Sequence, residues 1–282
     1  DRQFWMFKTV RLPVPVVSVG NIALGGTGKT PFVALLARRL RAGGRRPCIL
    51  SRGYGSRPAA DYNDEYLMLK ELLPEVPHQV GRERLITGLQ ALLQFRPDVL
   101  ILDDGFQHRK LARDLDIVLV DALEPWGLGY LLPRGRLRER PRSLRRAHLI
   151  CLTHSDLVTP ERLEALREEL GRLAPGVPIL EARHEPRGLR PAVAGGSAGA
   201  AGPWDRRQPA EALAGRRVAA FCGLANPESF LREVRRLGAE VVHRSLFPDH
   251  HRLSEEELER LFADARQAGA DLLLCTHKDA VK

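Results

Sequence analysis

The sequence lacks any apolar run approaching the ~18 residues that would cross a bilayer, and no export-signal pattern opens it. What is visible therefore reads as soluble or peripheral. The sequence starts at Asp1 rather than Met and stops at Lys282 just past a strand-like run, so a trimmed end or a terminal anchor outside it stays open. Cysteine is scarce: Cys48, Cys151, Cys222 and Cys275 each close an apolar run, and no two form a CxxC pair. That excludes a disulfide framework and a cysteine zinc site, and predicts small buried strand residues in a reducing compartment. Aromatic residues make up only 6% and no nucleic-acid motif is present, which leaves base stacking, and so a nucleic-acid partner, without support. Lysine supplies only six of the 44 basic residues. The net charge of +9 favours anionic partners such as a nucleotide, a phospholipid surface or a phosphorylated glycan, although a plain compositional bias toward arginine explains it equally well.

What is present is an alternation. Short β-branched runs at residues 14–20, 48–51, 99–104, 117–121 and 149–153 read as buried parallel strands, and the segments between them carry helical spacing. The segment from Pro31 predicts a helix with Phe32, Leu35, Leu36 and Leu40 on its apolar face and Gly43-Gly44 at its end. Strand alternating with helix gives an α/β fold with a parallel sheet flanked by helices, and the GGTGKT stretch at 25–30, between a strand and a helix, makes the expected sheet one of P-loop NTPase type. Between residues 183 and 217 the composition shifts to Ala, Gly, Pro and Arg and is poor in large apolar side chains, which marks a linker. A second, smaller α/β unit follows, with a helix opened by Pro227 and another whose Ser254 and Glu257 form a capping box. The expected organisation is a core over 1–182, a linker over 183–217 and a second unit over 218–282. No repeat of fixed period is apparent.

The most specific local signal is the stretch Gly25-Gly26-Thr27-Gly28-Lys29-Thr30, which follows a strand and opens a helix. Glycines let backbone N–H groups turn inward around phosphate oxygens, Lys29 reaches the terminal phosphates, and the Thr30 hydroxyl ligates Mg2+. The pattern departs from GxxxxGK[ST] at its first glycine, where this chain has Ala23. Downstream, Asp103 and Asp104 close a hydrophobic strand, where P-loop proteins keep the acid that holds Mg2+ directly or through water; the two are not ranked by the sequence, and a polar strand end facing solvent is the alternative. His108 would then sit near the metal shell. Residues 132–139, LPRGRLRE, form an Arg-rich loop that reads on composition as a solvated basic loop, while arginine there can also neutralise charge on a transferring phosphoryl group.

Taken in order, GGTGKTP, SRGYG at 51–55, DDGFQHR at 103–109, LPRGRLRE, PDHH at 248–251 and THKDAVK at 276–282 make the chain resemble the tetraacyldisaccharide 4'-kinase family over nearly its whole length. The resemblance implies transfer of the γ-phosphate of ATP, with Mg2+, to the 4'-hydroxyl of an acylated glucosamine disaccharide 1-phosphate in lipid A synthesis. It implies work at the membrane surface, on the cytoplasmic face of the bacterial inner membrane, with the chain peripheral or held by an N-terminal segment of which Phe4-Trp5-Met6-Phe7 is the end. It assigns Asp64 as the base, in a Tyr62-Asn63-Asp64-Glu65-Tyr66 element whose flanks depart from the family's Gly and Pro, and His250 as its partner. Glu139 would join Thr30 and Asp103 or Asp104 around Mg2+, Arg138 would face the γ-phosphate, and Arg52, Arg82 and Arg84 would grip the 1-phosphate. Because Asp64 precedes the linker and His250 follows it, closure of the two units would assemble the site.

Two rivals remain at this point. A partition-type or metallochaperone ATPase has a similar loop but begins it with a signature lysine, where this chain has Leu24. A GTP switch is suggested by Thr276-His277-Lys278-Asp279, but with its lysine displaced by one residue from the guanine-reading pattern.

Overall fold

A computed structural model describes residues 9–53, 64–190, 208–224, 226–249 and 251–282. The chain divides into two compact units, Asp1–Arg183 and His184–Lys282.

In unit 1 the strands are β1 (Val16–Asn21), β2 (Pro47–Ser51), β3 (His78–Val80), β4 (Val99–Asp103), β5 (Leu115–Asp121), β6 (Leu149–Thr153) and β7 (Ile179–Glu181). They form one sheet in the order β3-β2-β4-β1-β5-β6-β7, with every neighbouring pair parallel. Parallel strands need a crossover between them, which α1 (Lys29–Ala42), α2 (Asp64–Leu72), α3 (Arg84–Phe95) and α4 (Pro160–Leu173) supply. Helices on both faces explain why β2 and β4 are buried along their whole length and read as unbroken apolar runs rather than alternations. On one face Val19, Ile49 and Ile101 pack with Val33, Ala37 and Leu69 of α1 and α2. On the other, Leu50, Leu100 and Leu102 pack with Ala91 of α3, while Val118, Val120 and Ile150 pack with Phe106, Leu137 and Leu170. Outward on that second face, α3 presents Ile86, Leu89 and Leu93 to solvent.

The expected apolar face of α1 is corrected. Val33, Ala34 and Ala37 are the buried residues, Phe32, Leu36 and Leu40 only flank them, and Leu35 is 46% exposed. Small side chains let α1 sit close to the sheet, so the larger ones are displaced to its sides. The helix stops at Ala42, and Gly44 takes the left-handed conformation (φ 75°) that ends it. Cys48, Cys151 and Cys222 are buried in strands, and burial pushes their thiols up to about 12, 11 and 11, which suits packing and not reactivity.

Unit 2 is a three-stranded parallel sheet, β10-β8-β9, built from β8 (Arg217–Cys222), β9 (Glu240–Leu246) and β10 (Leu272–Cys275). Helices α5 (Pro227–Arg236), α6 (Glu255–Gln267) and the short α7 (His277–Ala280) accompany it. Both halves of the Ser254–Glu257 capping box are formed at the start of α6. The end of the stretch expected as linker is packed: Ala210 and Leu213 are buried, Leu213 among Val218, Ala220 and Leu231. Few as they are, its apolar side chains are enough to join the small core.

Candidate active site: a lysine, aspartate and arginine over the phosphate loop

All seven strands of the unit 1 sheet point the same way, so their C-terminal ends share one edge, and chain order reverses direction around β1. A crevice outside such an edge, at such a switch point, is where open α/β sheets take their ligands. The loop from Ile22 to Gly28 leaves β1 at this place, and α1 begins at Lys29. Gly25 and Gly28 have φ of 135° and 78°, backbone that other residues rarely adopt, and a Cβ at Gly25 or Gly26 would meet nothing within 4 Å among the described residues, which leaves open space in front of the backbone. Asn21, buried at the end of β1, donates through Nδ2 to Thr27 Oγ1 at 2.9 Å and fixes the far side of the loop. Asn21 escaped sequence reasoning; its one signal was a polar residue closing an apolar strand.

The departure at Ala23 has a structural counterpart. Ala23 is buried and forms an isolated antiparallel bridge with Leu137; Leu24 N donates to Arg136 O and Arg138 N to Ile22 O, each at 2.7 Å. A bridge partner needs extended backbone, not a glycine turn, and this bridge stitches the LPRGRLRE segment to the phosphate loop. Arg138 is thereby carried to Asp104, its guanidinium 2.5 Å from Oδ2, while Lys29 Nζ lies 3.7 Å from Oδ1 of the same carboxylate. Asp104 has a φ of 55°, an uncommon conformation for a non-glycine residue and one that concentrates at functional sites. Burial works against its ionisation, yet Lys29 and Arg138 together hold its carboxyl below the usual range. Its Oδ1 is buried and, among the described residues, accepts no hydrogen bond.

Asp103 behaves oppositely. It is buried, and burial, followed by the negative charges of Glu65 and Asp104, pushes its carboxyl up to about 7 against the pull of Lys29 and Arg84. Two adjacent carboxylates with such different surroundings are separated by structure where the sequence left them equal. The close approach of this segment to β1 depends on Gly20, where a Cβ would fall 2.6 Å from Phe106 Cβ and 2.8 Å from its backbone nitrogen.

Glu139 is engaged by Arg146 at 2.8 Å and by Gln107 Nε2 at 3.2 Å; Gln107 also donates to Asn21 O at 2.9 Å, and the Arg146 guanidinium covers the Phe106 ring at 4.4 Å. Gln107 and Arg146 were not singled out by sequence. Asp64 is buried at the first turn of α2, with Glu65 beside it close enough to Asp103 to raise its pKa. Arg52 and Arg82 are exposed, but Arg84 is not available as a surface grip: it is buried, donating to Gly81 O at 2.7 Å and Asp103 O at 3.3 Å, because it opens α3 against the end of β4. His108 sits in a turn bonded to Gly105 O, its imidazole held low by burial and by Arg84. His250 lies outside the described residues.

Mg2+ can be tested against these residues. Among the described residues no group of three or more His, Cys, Asp or Glu could hold a metal. A nucleotide-bound Mg2+ does not need one, since one or two side chains complete a shell made largely of phosphate oxygens and water. The unbonded Oδ1 of Asp104 and the Thr30 hydroxyl, next to Lys29, meet that smaller requirement.

The GTP-switch rival fails in unit 2. Asp279 accepts from Gly223 N at 3.0 Å, Thr276 Oγ1 at 2.6 Å and Lys282 Nζ at 2.7 Å, and its side chain is 5% exposed, so its carboxylate is spent inside the protein and not offered to a base.

Comparison with known proteins agrees with this geometry. The chain matches the family described as tetraacyldisaccharide-1-P 4'-kinase over residues 2–282. It is 47% identical to the tetraacyldisaccharide 4'-kinase of Anaeromyxobacter sp. (strain K), covering 98% of this chain and 74% of that one. With the enzyme of the same name from Syntrophus aciditrophicus (strain SB) it shares 40% identity over 100% of this chain and 78% of that one. Among solved structures, the "apo" form LpxK from Aquifex aeolicus, crystallised in complex with ATP, superposes with a TM-score of 0.68 at 33% identity over 97% of this chain and 81% of that one. A phosphate loop after β1, an acid held between lysine and arginine in front of it, and these relatives over nearly the whole length place the chain in the tetraacyldisaccharide-1-P 4'-kinase family.

Proposed function

We propose that the chain transfers the γ-phosphate of ATP to the 4'-hydroxyl of a tetraacylated glucosamine disaccharide 1-phosphate, a step of lipid A synthesis, at a membrane surface. The observation that carries this reading is the Lys29–Asp104–Arg138 cluster, with distances of 3.7 and 2.5 Å, standing directly beyond the phosphate loop. Family membership and the ATP in the similar Aquifex aeolicus structure supply the nucleotide. An ATPase of the partition type is not favoured, since the family match spans residues 2–282 and the relatives are kinases.

In this reading the backbone N–H groups of Gly25, Gly26, Thr27 and Gly28 hold the phosphates and Lys29 reaches the transferring group. Arg138, carried by the bridge to Ala23, balances the charge that spreads over the phosphoryl oxygens. Mg2+ would be held by Thr30 and by Asp104 or Asp103, and would supply charge neutralisation on the phosphates. Glu139 would join that shell with its carboxylate oriented by Arg146 and Gln107. The acceptor oxygen forms its bond to γ-phosphorus as the bond to the ADP oxygen breaks, and its proton passes to the Asp64 carboxylate. Asp64 is suited to this by its place at the first turn of α2, buried, where packing fixes the direction of its carboxylate.

The test follows label from the γ-phosphate of ATP into detergent-dispersed acceptor. Asp64→Asn should lower kcat by roughly 10²–10⁴-fold, the usual worth of a positioned base, with ATP affinity unchanged. ATP hydrolysis without acceptor, untouched by Asp64→Asn, would overturn the kinase reading.

A further inference from the structure

Beside the phosphate loop, unit 1 leaves an apolar run uncovered. Residues 128–134, Leu-Gly-Tyr-Leu-Leu-Pro-Arg, are all exposed, Leu128 by 64% and Leu132 by 48%, and Leu24 of the phosphate loop is 38% exposed. This is not a loose loop that happens to be apolar. Gly129 N donates to Trp126 O at 2.7 Å, Leu132 N to Leu137 O at 2.9 Å, Gly135 N to Leu131 O at 3.1 Å and Arg136 N to Gly127 O at 2.7 Å. The backbone is therefore fixed while the side chains of Leu128, Tyr130, Leu131 and Leu132 are held outward. Exposed large apolar residues scattered singly need no explanation, but a contiguous run of them on a fixed backbone marks an interaction surface.

Charge tells what it meets. From Trp126 to Ala147 there are seven arginines and one acid, Glu139. Arg134, Arg140 and Arg142 are exposed, and the Arg134 guanidinium lies over the Tyr130 ring at 3.7 Å, so an apolar body and a cationic head are presented together. Three exposed arginines exceed what one 1-phosphate requires, and side chains held outward do not form a pocket for a single chain. Both features fit an extended anionic surface with an apolar interior. The exposed stripe Ile86, Leu89 and Leu93 of α3 lies on the same face of the sheet.

We propose that residues 128–134 are the docking face for an anionic bilayer, with Leu128, Tyr130, Leu131 and Leu132 entering the interfacial zone and the neighbouring arginines taking headgroup phosphates. This deepens the lipid-acceptor reading and rests on it for its purpose: Leu24 N is bonded to Arg136 O, so docking here brings the phosphate loop to the membrane, where the acceptor's acyl chains stay.

The experiment measures partition onto phosphatidylglycerol/phosphatidylethanolamine vesicles that contain no acceptor, with phosphatidylcholine vesicles for comparison. Leu128→Ser combined with Leu131→Ser should lower partition by roughly tenfold or more, with ATP affinity and melting temperature as in the parent protein. Arg140→Gln combined with Arg142→Gln should weaken binding to the anionic vesicles alone, by roughly fivefold or more, and reduce its salt dependence. Unchanged partition of the leucine pair overturns the proposal. Unchanged partition together with a raised KM for detergent-dispersed acceptor also overturns it, and moves the run to an acyl-chain contact. Vesicle binding needs no phosphoryl transfer, so failure of the kinase reading and failure of the docking face are read separately.

Discussion

Replacing Asp104 by asparagine keeps the shape of the side chain and removes one negative charge from between two cations. The carboxylate lies 3.7 Å from Lys29 and 2.5 Å from Arg138, with side-chain exposures of 24%, 13% and 18% for Asp104, Lys29 and Arg138. At the effective dielectric of about 20 that suits such sites, the longer of these pairs alone corresponds to an attraction of about 4 kcal/mol before the cost of desolvation. Most of that is offset in the folding balance, so Asp104→Asn should cost about 1–3 kcal/mol of stability, the range for a group left imperfectly paired. In the proposed mechanism catalysis is more exposed to the change, because this carboxylate would set the position of Lys29 and Arg138 relative to the phosphates. Loss of one preorganised electrostatic group usually lowers kcat by roughly 10²–10³-fold, and that is expected here, together with a higher Mg2+ requirement. Label transfer to acceptor across a Mg2+ titration reads both quantities. A cycle with Arg138→Gln should show the double variant little worse than either single one, a coupling of about 1–3 kcal/mol. A kcat within threefold of the parent, with ATP affinity lost instead, or strict additivity in the cycle, would refute the assignment of Asp104 as the organising acid.

Two further outcomes follow from the packing around the site. Burial and then the charge of Arg84 lower His78 from 6.5 to about 4, with Nε2 bonded to Ser51 Oγ at 2.7 Å. Between pH 6.5 and 4 the unfolded chain binds a proton that the native protein refuses, so this contribution is complete above 6.5 and about 3 kcal/mol is lost by pH 4; denaturant melts should show it, and His78→Gln should flatten the profile in that window. Gly20→Ala puts a methyl 2.6 Å from Phe106 Cβ and 2.8 Å from its backbone nitrogen, which neither can yield cheaply. A cost of about 2 kcal/mol, or roughly 4–8 °C in calorimetric Tm for a unit of this size, is expected, and an unchanged Tm would show that the β1–Phe106 contact is not tight.

The alternation of β-branched runs with helical spacing determined the α/β class, because a strand buried on both faces has no alternative to a continuous apolar run. The phosphate loop was equally legible: glycines, lysine and threonine at that spacing have one mechanical use, and the ordered motifs after it specified the family. Local side-chain chemistry also carried the Ser254–Glu257 cap, whose partners are three residues apart. The sequence could not order the strands, choose the buried face of α1, or tell Asp103 from Asp104. Those depend on contacts between residues far apart in the chain: Val33 and Ala37 face the sheet because α1 packs closely, and Asp104 is the paired acid because a bridge from Ala23 to Leu137 delivers Arg138 to it. For the same reason Arg84, one more exposed-looking arginine in the sequence, is a buried strut between Gly81 and Asp103. Residue type and spacing determine which chemistry the chain can perform; burial and long-range pairing, which exist only once the sheet is assembled, decide which of several identical side chains perform it.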